Sequence, residues 1–265
     1  MENHTNCFLG QSPKSEDSQD ILDRYLDAFL ELSLDIREQC LLKGNVLLNK
    51  LAPEYARATM DLDMSVATLA LYNSFIKPRL SIWAQRMLDS NLAVSYRVKD
   101  ASLTTSGGVS LYKSDGSVAF SIDISLYKAS PYGAVKYSFS GEEVWGSSVE
   151  KIMCDKLLAT LSPRRFRRIK DFYDLYVLKM IGQPCDFAKV VQLTLEKQPI
   201  QELWKLMTNY PFSPEVLGQL ARAWSKFTLT SFDRTINLQK PEFMQLISEI
   251  GGFYERFEEA LALSK

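Results

Sequence analysis

The segment Asp61-Leu62-Asp63 does most to limit the folds open to this chain. It lies within Thr59 to Val66, a stretch that reads as a β-strand, and in a strand residues i and i+2 share a face. The two carboxylates therefore stand side by side, and they repel unless a cation lies between them. Hard oxygen ligands on a rigid strand suit Mg²⁺, which keeps its remaining positions for water and substrate phosphates. Upstream, Lys43-Gly44 supplies a turn in which backbone N–H groups can approach a phosphate closely. A third acid, Asp123, follows Phe120 in an otherwise apolar strand. If the two strands are neighbours, three carboxylates meet, as a two-metal phosphoryl transfer requires. Alone, an Asp-x-Asp is usually a solvated strand edge or turn, and Asp123 alone could face solvent.

Around this strand the pattern is mixed. Ile21, Leu22, Tyr25, Leu26, Phe29 and Leu30 recur at helical spacing from Asp20 to about Cys40. Gly44 to Leu51 reads as a short helix ended by Pro53, and 67–88 as a long helix perturbed near Pro78. Segments 92–98, 109–112, 118–127 and 135–139 read as strands, with Ser114-Asp115-Gly116 as a hairpin turn. After Ser147 the periodicity is helical: about 148–161, 165–181, 186–197, 200–208, 213–228 and 241–263. The expected class is α+β: a mixed-sheet core with flanking helices, then an all-helical C-terminal domain. The expected boundaries are a mobile tail over 1–18, the core over 19–146 and the helical domain over 147–265.

Composition removes other classes. A net charge of −1 argues against a whole-surface nucleic-acid binder, though not against a local basic patch. Cys7, Cys40, Cys154 and Cys185 share no metal-ligand spacing, and the single histidine, His4, lies in the tail, so zinc and histidine-based catalysis are not expected. Scattered cysteines without a signal peptide suit a reducing cytoplasm. No window approaches the roughly 20 apolar residues of a membrane span, so no membrane partner is expected.

A second constellation lies in the helical half. Lys156 follows Glu150 on one helix, and the basic run Arg164-Arg165-Phe166-Arg167-Arg168-Ile169-Lys170 leads into Asp171 and Asp174. A lysine beside transferring phosphates neutralises developing charge, and the basic run could grip a triphosphate or an RNA backbone. The plainer alternative is a surface lysine and a solvated helix start, with Asp171 and Asp174 in local ion pairs.

In this order and spacing, both constellations resemble the AbiEii/AbiGii-type nucleotidyltransferases, a toxin-like branch of the DNA polymerase β nucleotidyltransferase superfamily. The matching elements are Leu42-Lys43-Gly44-Asn45-Val46-Leu47-Leu48, Arg57-Ala58-Thr59-Met60-Asp61-Leu62-Asp63, Ile122-Asp123-Ile124, Glu150 to Leu157, and Lys170-Asp171-Phe172-Tyr173-Asp174-Leu175. They cover roughly 20–180. The resemblance implies a nucleotidyltransferase core whose cleft is closed by helices, a nucleoside triphosphate substrate, and Mg²⁺ or Mn²⁺. It implies metal binding by Asp61, Asp63 and Asp123. Catalytic roles fall to Asp61, Asp63, Lys156 and Asp174, and nucleotide contacts to Lys43, Gly44, Asn45, Arg57 and Asp171. It also implies a cognate antitoxin and an RNA acceptor, most plausibly a tRNA 3′ end. Substrate does not follow from fold, and a protein hydroxyl acceptor or a non-catalytic nucleotide- or RNA-binding module remain alternatives. The chain departs from the family pattern at Asn45, where a second glycine is usual, at Val46, where a hydroxyl residue is usual, and at Lys170, where arginine is usual.

Overall fold

Alternation along two strands decides which way the sheet faces. A computed structural model of the chain describes residues 39–59, 61–102, 105–126, 133–139, 141–229 and 238–264. The expected tail, His4, Cys7 and nearly all of the helix expected from Asp20 lie outside these residues. Strands β1 (Cys40–Lys43), β2 (Asp61–Val66), β3 (Ser95–Lys99), β4 (Gly107–Tyr112), β5 (Val118–Leu126), β6 (Ala134–Phe139) and β7 (Glu142–Ser147) form one mixed sheet, ordered β3-β4-β5-β2-β1-β7-β6. β2 is central. It pairs antiparallel with β1 and parallel with β5, in a register that sets Asp63 opposite both Lys43 and Asp123.

Because side chains alternate, Leu62, Met64 and Val66 of β2 and Phe120, Ile122 and Ile124 of β5 share one face and are buried. A long helix, α2, covers that face. It starts at Leu69–Leu71, capped by Thr68, widens into a π-turn over Tyr72–Ile76 and continues as Lys77–Asp89. The perturbation expected at Pro78 is this π-turn, which precedes a proline that has no N–H to donate. Trp83 of α2 packs against Phe120 at 6.2 Å between ring centroids. The opposite face carries Asp61, Asp63, Ser65, Asp123 and Ser125.

The short helix α1 (Asn45–Leu51) follows β1 directly. The second half of the chain is helical: α3 (Val149–Leu161), a 3₁₀ turn at Arg165–Arg167, α4 (Ile169–Met180), α5 (Phe187–Leu195), α6 (Ile200–Met207), α7 (Pro214–Lys226) and α8 (Phe243–Leu263). Ser148, Asp186 and Ser213 cap α3, α5 and α7 by accepting from first-turn N–H groups. Trp224, Tyr254 and Phe257 are buried. Among the described residues, no helix is long and apolar enough to cross a membrane.

Two strands differ from expectation. Cys40–Lys43 continues a helical pattern in sequence but is a strand buried between β2 and β7. A four-residue segment cannot be assigned from periodicity, and only its two neighbours make it a strand. Glu142–Ser147 reads as the break between halves but pairs with β6 and with β1. Its opening acids and Gly146 disguise it. Gly146 is required because a Cβ there would strike the Tyr137 ring at 2.6 Å.

Candidate active site

The carboxylate face of β2 opens into a cleft of about 460 Å³, lined by Lys43, Gly44, Asp63, Lys156, Arg168 and Asp171 among others. Gly44 turns the chain from β1 into α1 with φ 77°, a left-handed geometry that favours glycine. There is a second reason for glycine: a Cβ at Gly44 would lie 2.5 Å from Asp63 Oδ2. The turn and the central carboxylate are thus in contact, which brings the first two expected elements together.

Asp63 is half-buried in a strained charge environment. Burial pushes its carboxyl above the usual range, and Asp61 adds repulsion, while Lys43 and Lys156 pull the other way. Asp61 accepts from Thr59 Oγ1 and lies 4.0 Å from Lys170 Nζ. Asp123 stands beside Asp63 in the sheet, but Lys99 Nζ of β3 donates to its Oδ1 at 2.8 Å. Among the described residues, no three carboxylate, histidine or cysteine groups converge into a ready metal cage. Asp61 and Asp63 nevertheless fit a divalent ion. They are neighbouring hard oxygen donors, and burial, with the Asp61 charge added to it, raises the Asp63 carboxyl, a cost that a cation between the two would offset.

Lys156 points inward from α3 and is nearly buried. Its Nζ donates to Asp171 Oδ1 at 2.7 Å and to Asp174 Oδ2 at 2.6 Å. Asp174, fully buried, also receives a two-pronged contact from Arg57, with Nε and Nη2 each at 3.0 Å. Burial alone would raise the Asp174 carboxyl, but Lys156 and Arg57 hold it below its usual range. The same carboxylates hold the Lys156 ammonium above its usual range despite burial. The local pairing expected for Asp171 exists only weakly, at 3.8 Å from Arg168 Nε. Residues from the loop before β2, from α3 and from α4 are joined instead. Asp171 and Lys156 still line the cleft wall.

Asn45 turns away from the cleft and donates to the Arg57 carbonyl at 2.6 Å, and Asn49 donates to the same oxygen at 3.0 Å. The amide thereby fastens the loop that carries Arg57. In the basic run, Arg165 is buried, with its guanidinium 5.4 Å from the Phe212 ring centroid. Arg164, Arg167 and Arg168 are exposed and border a neighbouring hollow of about 450 Å³. Sequence reading missed Lys99, and it missed Ser65 and Ser125. The serines continue the period-two pattern that marks Asp63 and Asp123, so that pattern contained a signal for them. Nothing in the sequence marks Lys99.

Residues 24–261 match the nucleotidyl transferase AbiEii toxin family of type IV toxin–antitoxin systems. Among solved structures, the chain is similar to JHP933 from Helicobacter pylori, at 13% identity over 93% of each chain with a TM-score of 0.51. It is less similar to an antigenic nucleotidyltransferase-like protein from Paracoccidioides brasiliensis, at 16% identity over 78% of this chain and 93% of that one, TM-score 0.37. At such identities the likeness to JHP933 is one of fold. No curated protein matches the sequence.

Proposed function

The chain belongs to the AbiEii family of nucleotidyltransferase toxins, and from that premise we propose that it transfers a nucleoside monophosphate from an NTP to an RNA hydroxyl, that of a tRNA 3′ end. The observation that carries this reading is the contact of Gly44 with Asp63 at the mouth of the cleft. It joins the Gly44 turn to the central carboxylate of the sheet. The acceptor oxygen attacks the α-phosphorus, and the bond from that phosphorus to the bridging oxygen breaks. Pyrophosphate leaves, and the hydroxyl proton passes to a carboxylate of the Asp61, Asp63, Asp123 row.

In this reading Asp61 and Asp63 would hold Mg²⁺ or Mn²⁺, and Asp123, which Lys99 engages, would be the third carboxylate. When bound, the ion supplies charge for the attacking and leaving oxygens. The backbone at Gly44 and Lys43 positions phosphates. Asp174, Lys156 and Arg57 hold α3, α4 and the β2 loop in register, and Lys156 and Asp171 present their outer edges to the nucleotide. The exposed Arg164, Arg167 and Arg168 beside the cleft suit an RNA backbone, and exposed Phe166 suits base stacking. A cognate antitoxin is the expected partner in the cell.

The test is transfer of label from each α-labelled NTP, with Mg²⁺, onto total RNA and total protein, with Asp61→Ala/Asp63→Ala as control. Label on tRNA that vanishes in the variant supports the proposal. Label on protein keeps the chemistry and replaces the acceptor. No label from folded protein with any NTP overturns it.

A further inference from the structure

Asp123 stands in the carboxylate row, yet its charge is already met within the chain. Lys99 Nζ donates to Asp123 Oδ1 at 2.8 Å. The two residues are not on neighbouring strands. β4 runs between them, and its Gly108 pairs with Lys99 on one side and with Asp123 on the other. The lysine therefore reaches over the intervening strand at a residue with no side chain to stand in the way.

The place of Lys99 is built from the other face of the sheet. Tyr72, fully buried in the π-turn of α2, donates its hydroxyl proton to the Lys99 carbonyl and accepts from the Gly108 N–H at 2.7 Å. One hydroxyl thus ties together the two backbone segments that set the lysine over Asp123. Two glycines make this possible. A Cβ at Gly107 would lie 2.2 Å from the Tyr72 ring, and one at Gly108, where φ is 132°, would lie 1.9 Å from the Ile122 carbonyl oxygen. The Lys99 and Asp123 side chains are 35% and 37% exposed, so water weakens their attraction, and the anchored backbone is what fixes the pair.

The other lysines near the row are engaged elsewhere. Lys156 is spent on Asp171 and Asp174, and Lys43 donates to Ser125 Oγ. Lys170 lies 4.0 Å from Asp61, beyond hydrogen-bonding distance. Among the described residues, Lys99 is thus the cation that hydrogen-bonds to the row. Two carboxylates remain, Asp61 and Asp63, and their charge equals that of one divalent ion. A second ion would have to drive Lys99 off Asp123.

We propose that Lys99 is a positioning residue that takes the place of a second metal ion at Asp123, so that the cleft holds one divalent ion, on Asp61 and Asp63. The inference rests on the nucleotidyl-transfer reading and narrows its metal requirement. Asp123 remains the third carboxylate of the row, balanced by an ammonium that is part of the chain.

Titration of the full metal-free chain with Mn²⁺ tests it, with free ion counted by its electron paramagnetic resonance signal. The wild type is expected to bind one Mn²⁺ per chain, and Lys99→Met two. Lys99→Gln, run beside it, is also expected to bind two and covers a failure of the first variant to fold. Lys99→Arg keeps the charge and is expected to bind one, as is Lys99→Met/Asp123→Asn, which lacks the carboxylate. A lysine with a merely structural role would not move this count. Two ions on the wild type overturn the inference, as do folded Lys99 variants that bind no more than the wild type. No bound Mn²⁺ on any form overturns it together with the metal assignment of Asp61 and Asp63. An unchanged count in a chain that transfers nucleotide sinks the role of Lys99 alone. A second ion gained without Lys99, in a chain that transfers nothing, sinks the transferase reading alone.

Discussion

Asp63 on the sheet and Asp174 on α4 are two carboxylates withdrawn from water, and the protein treats them in opposite ways. Asp174 is met by Arg57 from one side and Lys156 from the other, and its carboxyl is held below its ordinary range. Asp63 is held above its ordinary range by burial first and by the neighbouring Asp61 second. One region has its charge matched within the chain; the other keeps charge that the chain leaves open for something else. Matched buried charge fixes geometry, and removing one partner strands the rest. Mismatched charge at the mouth of a cleft marks where a ligand completes the balance.

The contrast can be broken most decisively at the open end. Asp61→Ala/Asp63→Ala is expected to lower nucleotide transfer by on the order of 10⁴-fold while the protein stays folded. Transfer near the wild-type rate would remove the functional half of the comparison. At the matched end, Asp174→Asn leaves Arg57 and Lys156 buried and under-paired. Urea unfolding should show a loss of about 3–5 kcal/mol, and a loss well under 1 kcal/mol would mean that the cluster does not hold the halves together. Gly44→Ala tests the contact between turn and carboxylate. With φ 77° and a Cβ pressed on Asp63 Oδ2, it should cost about 1–2 kcal/mol and reduce transfer.

The smallest effects are in pH, and their signs differ. Because the Asp174 carboxyl is lowered on folding, its contribution is present above the unfolded value near 3.8 and is lost as pH falls through the lower folded value. Because the Asp63 carboxyl is raised, folding is favoured where it is protonated, and stability declines as pH rises from about 3.8 through the raised folded value. Asp63→Asn removes that decline, so its melting temperature at neutral pH should exceed that of the wild type while activity is lost. A lower melting temperature would show that Asp63 is already satisfied.

Much of this arrangement is visible in sequence because it is local. Period-two alternation in 61–66 and 118–126 reveals the carboxylate face, and helical periodicity finds α3 and α4 to within a few residues. The motif order identifies the family. What stays hidden is pairing between distant segments. Arg57 and Asp174 are 117 residues apart, and Lys99 and Asp123 are 24 apart on strands separated by β4. No periodicity links such residues. The two misread strands share this cause, since β1 and β7 are strands by virtue of each other and of β2 and β6. The boundary expected near 146 falls at the end of β7, a strand of the same sheet.

The separation of Arg57 from Asp174 also has a consequence in time. Chains leave the ribosome N-terminus first, at about 5–20 residues per second. Every residue of the carboxylate row is made before α4 emerges, and Arg57 then lacks the acid that its guanidinium hydrogen-bonds. The loop next to β2 is secured only when Asp174 arrives. A nascent chain therefore carries its acids long before it carries their frame, and a cell that makes this protein meets a finished site only once α4 has been made.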